Sequence, residues 1–254
     1  MTGLANTRMR VAHHLHADET GVLPGMTVDM TQNMKSLLDY YETTRSDGDT
    51  IYAIWERGEA FNDSVTPSTY VPEYRTHVLL KFLSLTSEGS RIFSFGCGNA
   101  AVEATLVEYG RHVSAIDVCP EAVELARSKG VDAATADYFD ITPEDVADCD
   151  VIYADGFLGH LFDSVEEIGP TLQKLKELGL KSGTLLLFSN DAPPDGGEWF
   201  TAHERVDDFW YLSKDYLQTR LASAGFELLE AYYFPYIRPI SGLRNRTICI
   251  ARVP

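Results

Sequence analysis

Two glycines, three aspartates and one histidine in this chain have the types and spacing to do chemistry together. Gly96-Cys97-Gly98-Asn99-Ala100-Ala101 follows the apolar run Arg91-Ile92-Phe93-Ser94-Phe95 and precedes Val102 to Tyr109, which reads as a helix ended by Gly110. Glycines at such a turn let backbone approach a bound nucleotide, and the helix start turns free N–H groups toward it. A second apolar run, His112 to Ile116, stops at Asp117 and is followed by Val118. A carboxylate at that place can accept both hydrogen bonds of a ribose diol. A third run, Val131 to Thr135, ends at Ala136-Asp137-Tyr138, where an acid can meet an adenine amino group with the Tyr138 ring beside it. The expected cofactor-binding set is therefore Gly96, Gly98, Asn99, Asp117, Val118, Asp137 and Tyr138, with Asp155 at the end of a fourth run. Asp155 heads the loop Asp155-Gly156-Phe157-Leu158-Gly159-His160-Leu161. Histidine is the side chain best able to take or hold a proton near neutral pH, so His160 is the candidate catalytic residue.

Gly96-x-Gly98-x-x-Ala101 fits the dinucleotide fingerprint in its G-x-G-x-x-A form, which keeps an NAD(P)-dependent oxidoreductase open as the rival enzyme. The three motifs in order, however, resemble those of the class I S-adenosylmethionine-dependent methyltransferases. Phe93-Ser94-Phe95-Gly96-Cys97-Gly98 is similar to the first motif of that family, Ala115-Ile116-Asp117-Val118 to the second, and Ala136-Asp137-Tyr138 to the third. The similarity runs from about Arg91 to Pro254. It implies S-adenosylmethionine as cofactor and S-adenosylhomocysteine as product. It also implies a glycine loop passing the methionine part, Asp117 on the ribose and Asp137 on the adenine. Gly159-His160-Leu161 resembles a segment of small-molecule N-methyltransferases, including those acting on amino sugars, where the histidine lies near the acceptor. Two positions depart from the pattern: Ser94 stands where the family usually has an acid, and Ala100 where it has a third glycine. A non-catalytic partner that keeps the cofactor fold is the third reading, and these departures are its motive.

The elements that must carry these residues alternate strand and helix, which predicts an α/β fold with a doubly wound, mostly parallel seven-stranded sheet. Asp150 to Ala154 reads as strand four, Ser164-Val165-Glu166-Glu167 as the cap of a helix bearing Ile168, Leu172, Leu175 and Leu178, and Gly183 to Phe188 as strand five. Phe226 to Phe234 and Arg246 to Val253, separated by Pro235, Pro239 and Gly242, read as a C-terminal antiparallel hairpin. The domain reading is an N-terminal helical cap or lid over 1–70 and a Rossmann-like domain over 71–254. Within the latter, 189–212 is an insertion on the acceptor side. Trp199, Phe200, His203, Phe209, Trp210 and Tyr211 are expected to wall the acceptor site, with His203 and Glu204 as alternative proton acceptors.

Composition narrows the partners. A net charge of −17 over 254 residues disfavours nucleic acid and anionic membrane, both of which select clustered Lys and Arg. No apolar run approaches spanning length, and the first residues lack the apolar core of a signal peptide. Cys97, Cys119, Cys149 and Cys249 show no C-x-x-C spacing and read as reduced thiols in a cytoplasm. His13-His14-Leu15-His16 has no acidic or cysteine partner at a useful spacing, so no metal is expected there. The expectation is a cytoplasmic enzyme that transfers a methyl group in line to N or O of a small-molecule acceptor.

Overall fold

The computed structural model describes residues 38–42, 48–206 and 208–254. His13, His14 and His16 lie outside the described residues, as does the N-terminal half of the expected helical cap; 38–42 is helical.

The strands are β1 (Arg91–Phe95), β2 (His112–Asp117), β3 (Asp132–Thr135), β4 (Val151–Asp155), β5 (Leu185–Asp191), β6 (Phe200–Ala202), β7 (Trp210–Leu212), β8 (Glu227–Arg238) and β9 (Gly242–Arg252). The helices used below are α1 (Ile51–Glu56), α2 (Pro67–Tyr70), α3 (Pro72–Leu85), α4 (Ala101–Glu108), α5 (Pro120–Ser128), α6 (Pro143–Val146), α7 (Gly169–Glu177) and α8 (Lys214–Ser223). The main sheet has seven strands, the number the sequence predicts, in the order β3-β2-β1-β4-β5-β9-β8. The first five pair in parallel, whereas β9 runs antiparallel to β5 and β8 antiparallel to β9.

Alternation along the strands divides the core between the two faces of the sheet. Phe93, Phe95, Ile152, Ala154, Leu186 and Phe188 pack with α7 and α8 on one face. Ile92, Val113, Val151, Tyr153 and Leu187 pack with α3, α4 and α5 on the other. Burial on both faces explains why these strands read as near-continuous apolar runs. Strand order reverses between β1 and β4, and the carboxyl ends of these strands open the crevice where such sheets bind ligands.

Three sequence boundaries are corrected. Ser164–Glu167 is not the first turn of a helix, which begins at Gly169 with Pro170 in its first turn. The Asp163 carboxylate accepts the N–H groups of Val165 and Glu166, both at 2.7 Å, and so closes a turn before any helix starts. Strand β5 continues past Phe188 to Asp191, which brings a further acid to the crevice. Pro235 does not break the hairpin but lies inside β8 opposite Asn245. Because β8 is the sheet edge, the missing N–H costs no ladder bond.

Candidate active site

The turn after β1 is shaped by backbone that few side chains tolerate. Gly96 and Gly98 have φ of 65° and 50°, and a Cβ on Gly96 would meet the Phe157 ring at 2.6 Å. Ala100, where the family pattern has glycine, is also left-handed, with φ 50° and ψ 37°, and is buried. Asp117 ends β2 beside this turn. Its Oδ2 accepts the Gly98 N–H at 2.9 Å and its Oδ1 accepts the Cys119 N–H at 2.9 Å. Burial raises its pKa, and these backbone donors oppose the rise. Asp137 caps the single turn after β3 by accepting the Phe139 N–H at 2.9 Å. Burial likewise raises the Asp137 pKa.

Gly96, Gly98, Asp117, Val118, Asp137, Tyr138, Asp155 and His160 all line one cavity of about 400 Å³. Asn99 does not. The left-handed Ala100 that follows it accompanies a side chain turned to the N-terminal segment, where Nδ2 donates to Glu56 Oε1 at 2.7 Å. Tyr138 contributes its ring alone, since its hydroxyl donates to the Thr171 carbonyl at 2.8 Å.

Another part of the wall is a buried ion network that no sequence motif announces. Arg246 on β9 binds the Asp155 carboxylate, reaches Asp191 at 3.0 Å through Nη1 and donates to Ser189 at 3.2 Å through Nε. Arg238 on β8 pairs with the second oxygen of Asp191 and donates from Nε to Tyr236 Oη at 2.7 Å, and that hydroxyl donates to Asp191 at 2.7 Å. Tyr74, fully buried on α3, donates to Asp155 at 3.1 Å and shares a hydrogen bond with Ser189 at 2.8 Å. The Asp191 pKa falls far below the usual carboxylate range because the charges of Arg238 and Arg246 outweigh its burial.

His160 ends a single 3-10 turn that is pinned from two sides. The Gly159 N–H donates to Asn190 Oδ1 at 3.0 Å, and Asn190 Nδ2 donates to the Trp210 carbonyl at 2.9 Å. No side chain fits at 159, where a Cβ would lie 2.5 Å from the Trp210 carbonyl oxygen. The imidazole packs on Phe209 at 4.7 Å between ring centres, and its Nε2 lies 3.0 Å from Tyr41 Oη. Nδ1 is buried without a well-formed hydrogen bond. Burial pushes the His160 pKa down to about 4, against an opposing contribution from the Asp208 backbone.

Of the aromatic residues expected to wall the acceptor side, only His203 and Phe209 line the cavity. Phe200 and Trp210 pack instead on Phe162, and Trp199 is 53% exposed. Within the insertion over 189–212, β6 and β7 pair as a two-stranded sheet that packs Phe200 and Trp210 against the domain. His203 Nδ1 accepts the N–H groups of Arg205 and Val206, both at 3.0 Å, leaving Nε2 as its other nitrogen. Glu204 is not part of the lining. Part of the wall comes from the N-terminal segment: Tyr40, Tyr41, Tyr52, Trp55 and Ser64 to Ser68. Tyr41 stacks on Tyr52 at 5.6 Å and meets Trp55 edge-on, in a cluster that also holds Cys119 and Ala122 of the domain.

Comparison with known proteins identifies the family and the fold. Residues 69–231 match the family described as a methyltransferase domain. A relative from Pseudomonas amygdali pv. tabaci, described as a tabtoxin biosynthesis enzyme, is 59% identical over 226 residues, covering 88% of this chain and 90% of its own. Two solved structures share the fold at 15% identity. Haemonchus contortus phosphoethanolamine N-methyltransferase 2 superposes with a TM-score of 0.61 over 89% of this chain and 61% of its own. The magnesium protoporphyrin IX methyltransferase of Synechocystis PCC 6803 does so with a TM-score of 0.58 over 90% and 100%. The chain belongs to the class I S-adenosylmethionine-dependent methyltransferases. Neither the NAD(P) reading nor the non-catalytic reading finds support in these relatives.

Proposed function

We propose that this chain methylates a nitrogen or oxygen atom of a small metabolite inside the 400 Å³ cavity. The observation that carries this reading is the composition of the site: one chamber is lined by Asp117, Asp137, His160 and Arg238 together with Tyr40, Tyr41, Tyr52 and Trp55 of the N-terminal segment. That volume is typical of small-molecule sites, about 300–1,000 Å³. The net charge of −17 gives no electrostatic footprint for nucleic acid. A relative named for tabtoxin biosynthesis favours a metabolite acceptor. Four buried free thiols favour a reducing compartment such as the cytoplasm.

The residues fit the cofactor. Both Asp117 oxygens are oriented by backbone N–H groups, which leaves lone pairs for a ribose diol. The bare backbone at Gly96 and Gly98 admits close approach, and Asp137 with the Tyr138 ring supplies an acceptor and an aromatic edge for adenine. When bound, S-adenosylmethionine supplies a methyl group on a positively charged sulfur. The protein's work is then to align an acceptor with that carbon and to exclude water. His160 is neutral at pH 7, given a pKa near 4, and so acts by orienting a hydroxyl or amine through Nε2. His203 is the second candidate for that role. Residues 38–42 and 48–70 form the described part of the lid, and 71–254 the catalytic domain. Incubation with S-adenosylmethionine labelled on the methyl group and a panel of small amines, amino acids and hydroxy acids tests the reading. Label transfer to a panel member is expected. Transfer only to protein or nucleic acid would sink it.

A further inference from the structure

Four carboxylates lining the cavity are at least nine-tenths buried: Glu103 at 3% exposure, Asp191 at 7%, Asp117 at 8% and Asp137 at 9%. Three of them have their partners built in. Asp117 and Asp137 hold backbone N–H groups, and Asp191 is matched by two arginines. Glu103, in the first turn of α4, differs. Ser94 Oγ donates to its Oε1 at 2.7 Å, and no lysine or arginine among the described residues forms an ion pair with it. Lys129, the cation that acts on it from a distance, is paired with Glu56 at 2.6 Å. A carboxylate this buried is costly to ionise without a cation close by. Its pKa accordingly rises to about 7, chiefly through burial, opposed by the Ser94 hydrogen bond and its own backbone N–H, with the Asp155 charge adding and Lys129 opposing. Cys97 and Tyr153 are the other titratable groups facing it.

The helix placement says which cation is missing. Glu103 lies a few residues beyond Gly96 and Gly98, in the helix that follows the bare backbone of the glycine turn, and lines the same cavity. Of the two positive centres on the cofactor, only the ammonium of its amino-acid end can donate hydrogen bonds; the sulfonium cannot. We propose that Glu103, oriented by Ser94, is the binding residue for that ammonium, so that the anchoring acid is supplied by helix α4 and not by strand β1. This rests on the cofactor reading given above. Ser94 then orients the acid: its hydroxyl holds one carboxylate oxygen and turns the other to the ligand.

Calorimetric titration without any acceptor tests the assignment and separates the cofactor's ammonium from one on the acceptor. The ligands are S-adenosylhomocysteine and its deaminated analogue S-adenosyl-4-thiobutyrate, which keeps the nucleoside, the sulfur and the carboxylate. Wild type is expected to prefer S-adenosylhomocysteine by about 10–100-fold, the worth of a charge-assisted hydrogen bond. In Glu103→Gln the preference should shrink below about threefold, with the analogue bound as in wild type. At pH 7 the wild-type protein should release about half a proton on binding S-adenosylhomocysteine, because a carboxyl titrating near 7 becomes ionised against the ammonium, and none on binding the analogue. Undiminished preference in Glu103→Gln overturns the proposal. So does equal proton release with both ligands on wild type, a readout that holds even where the variant does not fold. Failure of wild type to bind either ligand removes the cofactor reading itself.

Discussion

Tyr41 Oη and His160 Nε2 lie 3.0 Å apart although 119 residues separate them in the chain, so the N-terminal segment closes directly on the loop after β4. Each group restricts the other. The imidazole has one nitrogen on the tyrosine and the other buried without a well-formed hydrogen bond, and burial holds it neutral with a pKa of about 4. An acceptor that reaches His160 Nε2 therefore competes with the Tyr41 hydroxyl for the same atom.

From this follows a weak pH dependence. His160→Ala is expected to lower turnover on the identified acceptor by about 10²-fold, the low end for a positioned acid–base group, while S-adenosylhomocysteine affinity stays within about twofold. Wild-type turnover should show no limb near pH 6.5 assignable to His160. Stability, by contrast, does depend on pH through this group. A histidine whose folded pKa is depressed from 6.5 to about 4 loses stability as pH falls through that window, and His160→Gln should flatten the loss. A rate limb at pH 6.5 that disappears in His160→Gln contradicts the orienting role.

Closure of the segment is the second expectation. Tyr41, Tyr52 and Trp55 pack on one another and on Cys119 and Ala122, just after Asp117, the acid proposed for the ribose. Amide hydrogen exchange over 38–42 and 48–70 should slow when S-adenosylhomocysteine is added. Unchanged protection there, with slowing at Gly96 to Asp117, would reduce the segment to a static cap.

Ala100 offers a test of stability alone. A non-glycine residue in the left-handed region costs on the order of 1 kcal/mol, and a buried methyl partly offsets the relief of removing it. Ala100→Gly is expected to raise the unfolding free energy by about 0.5–1 kcal/mol in urea melts. A loss of stability would mean that the methyl packs better than its conformation costs.

The ion network makes the opposite prediction. Arg246 serves Asp155, Asp191 and Ser189 from a position 3% exposed. Arg246→Met leaves both acids buried and partly unpaired, so a loss of about 3–5 kcal/mol is expected in the same melts. A change below about 1 kcal/mol would show that the network relaxes or takes up water.

Much of this is legible in the sequence because the signals are local. Apolar runs from Arg91 to Asp155, glycines at turns and acids at strand ends all report on neighbours along the chain. Asp117, Asp137 and His160 are found that way, and all three line the cavity. What cannot be read so depends on pairing across distance. Arg246 meets Asp155 from 91 residues away, and no spacing rule links a β9 residue to a β4 acid. Asp191 stays hidden because the apolar run of strand five stops at Phe188, although its place at the end of β5 parallels that of Asp155 at the end of β4. Asn99 turns away from the cavity because its direction follows from a left-handed alanine that no residue type announces.

That the cavity is built around Asp117 for the cofactor is tested most directly by calorimetry with S-adenosylhomocysteine and NADH on wild type and Asp117→Ala. One S-adenosylhomocysteine site per chain is expected, weakened by about 1–3 kcal/mol in the variant as ribose hydroxyls lose their acceptor, and no heat with NADH. Equal affinity in both proteins, or binding of NADH in place of S-adenosylhomocysteine, would contradict it.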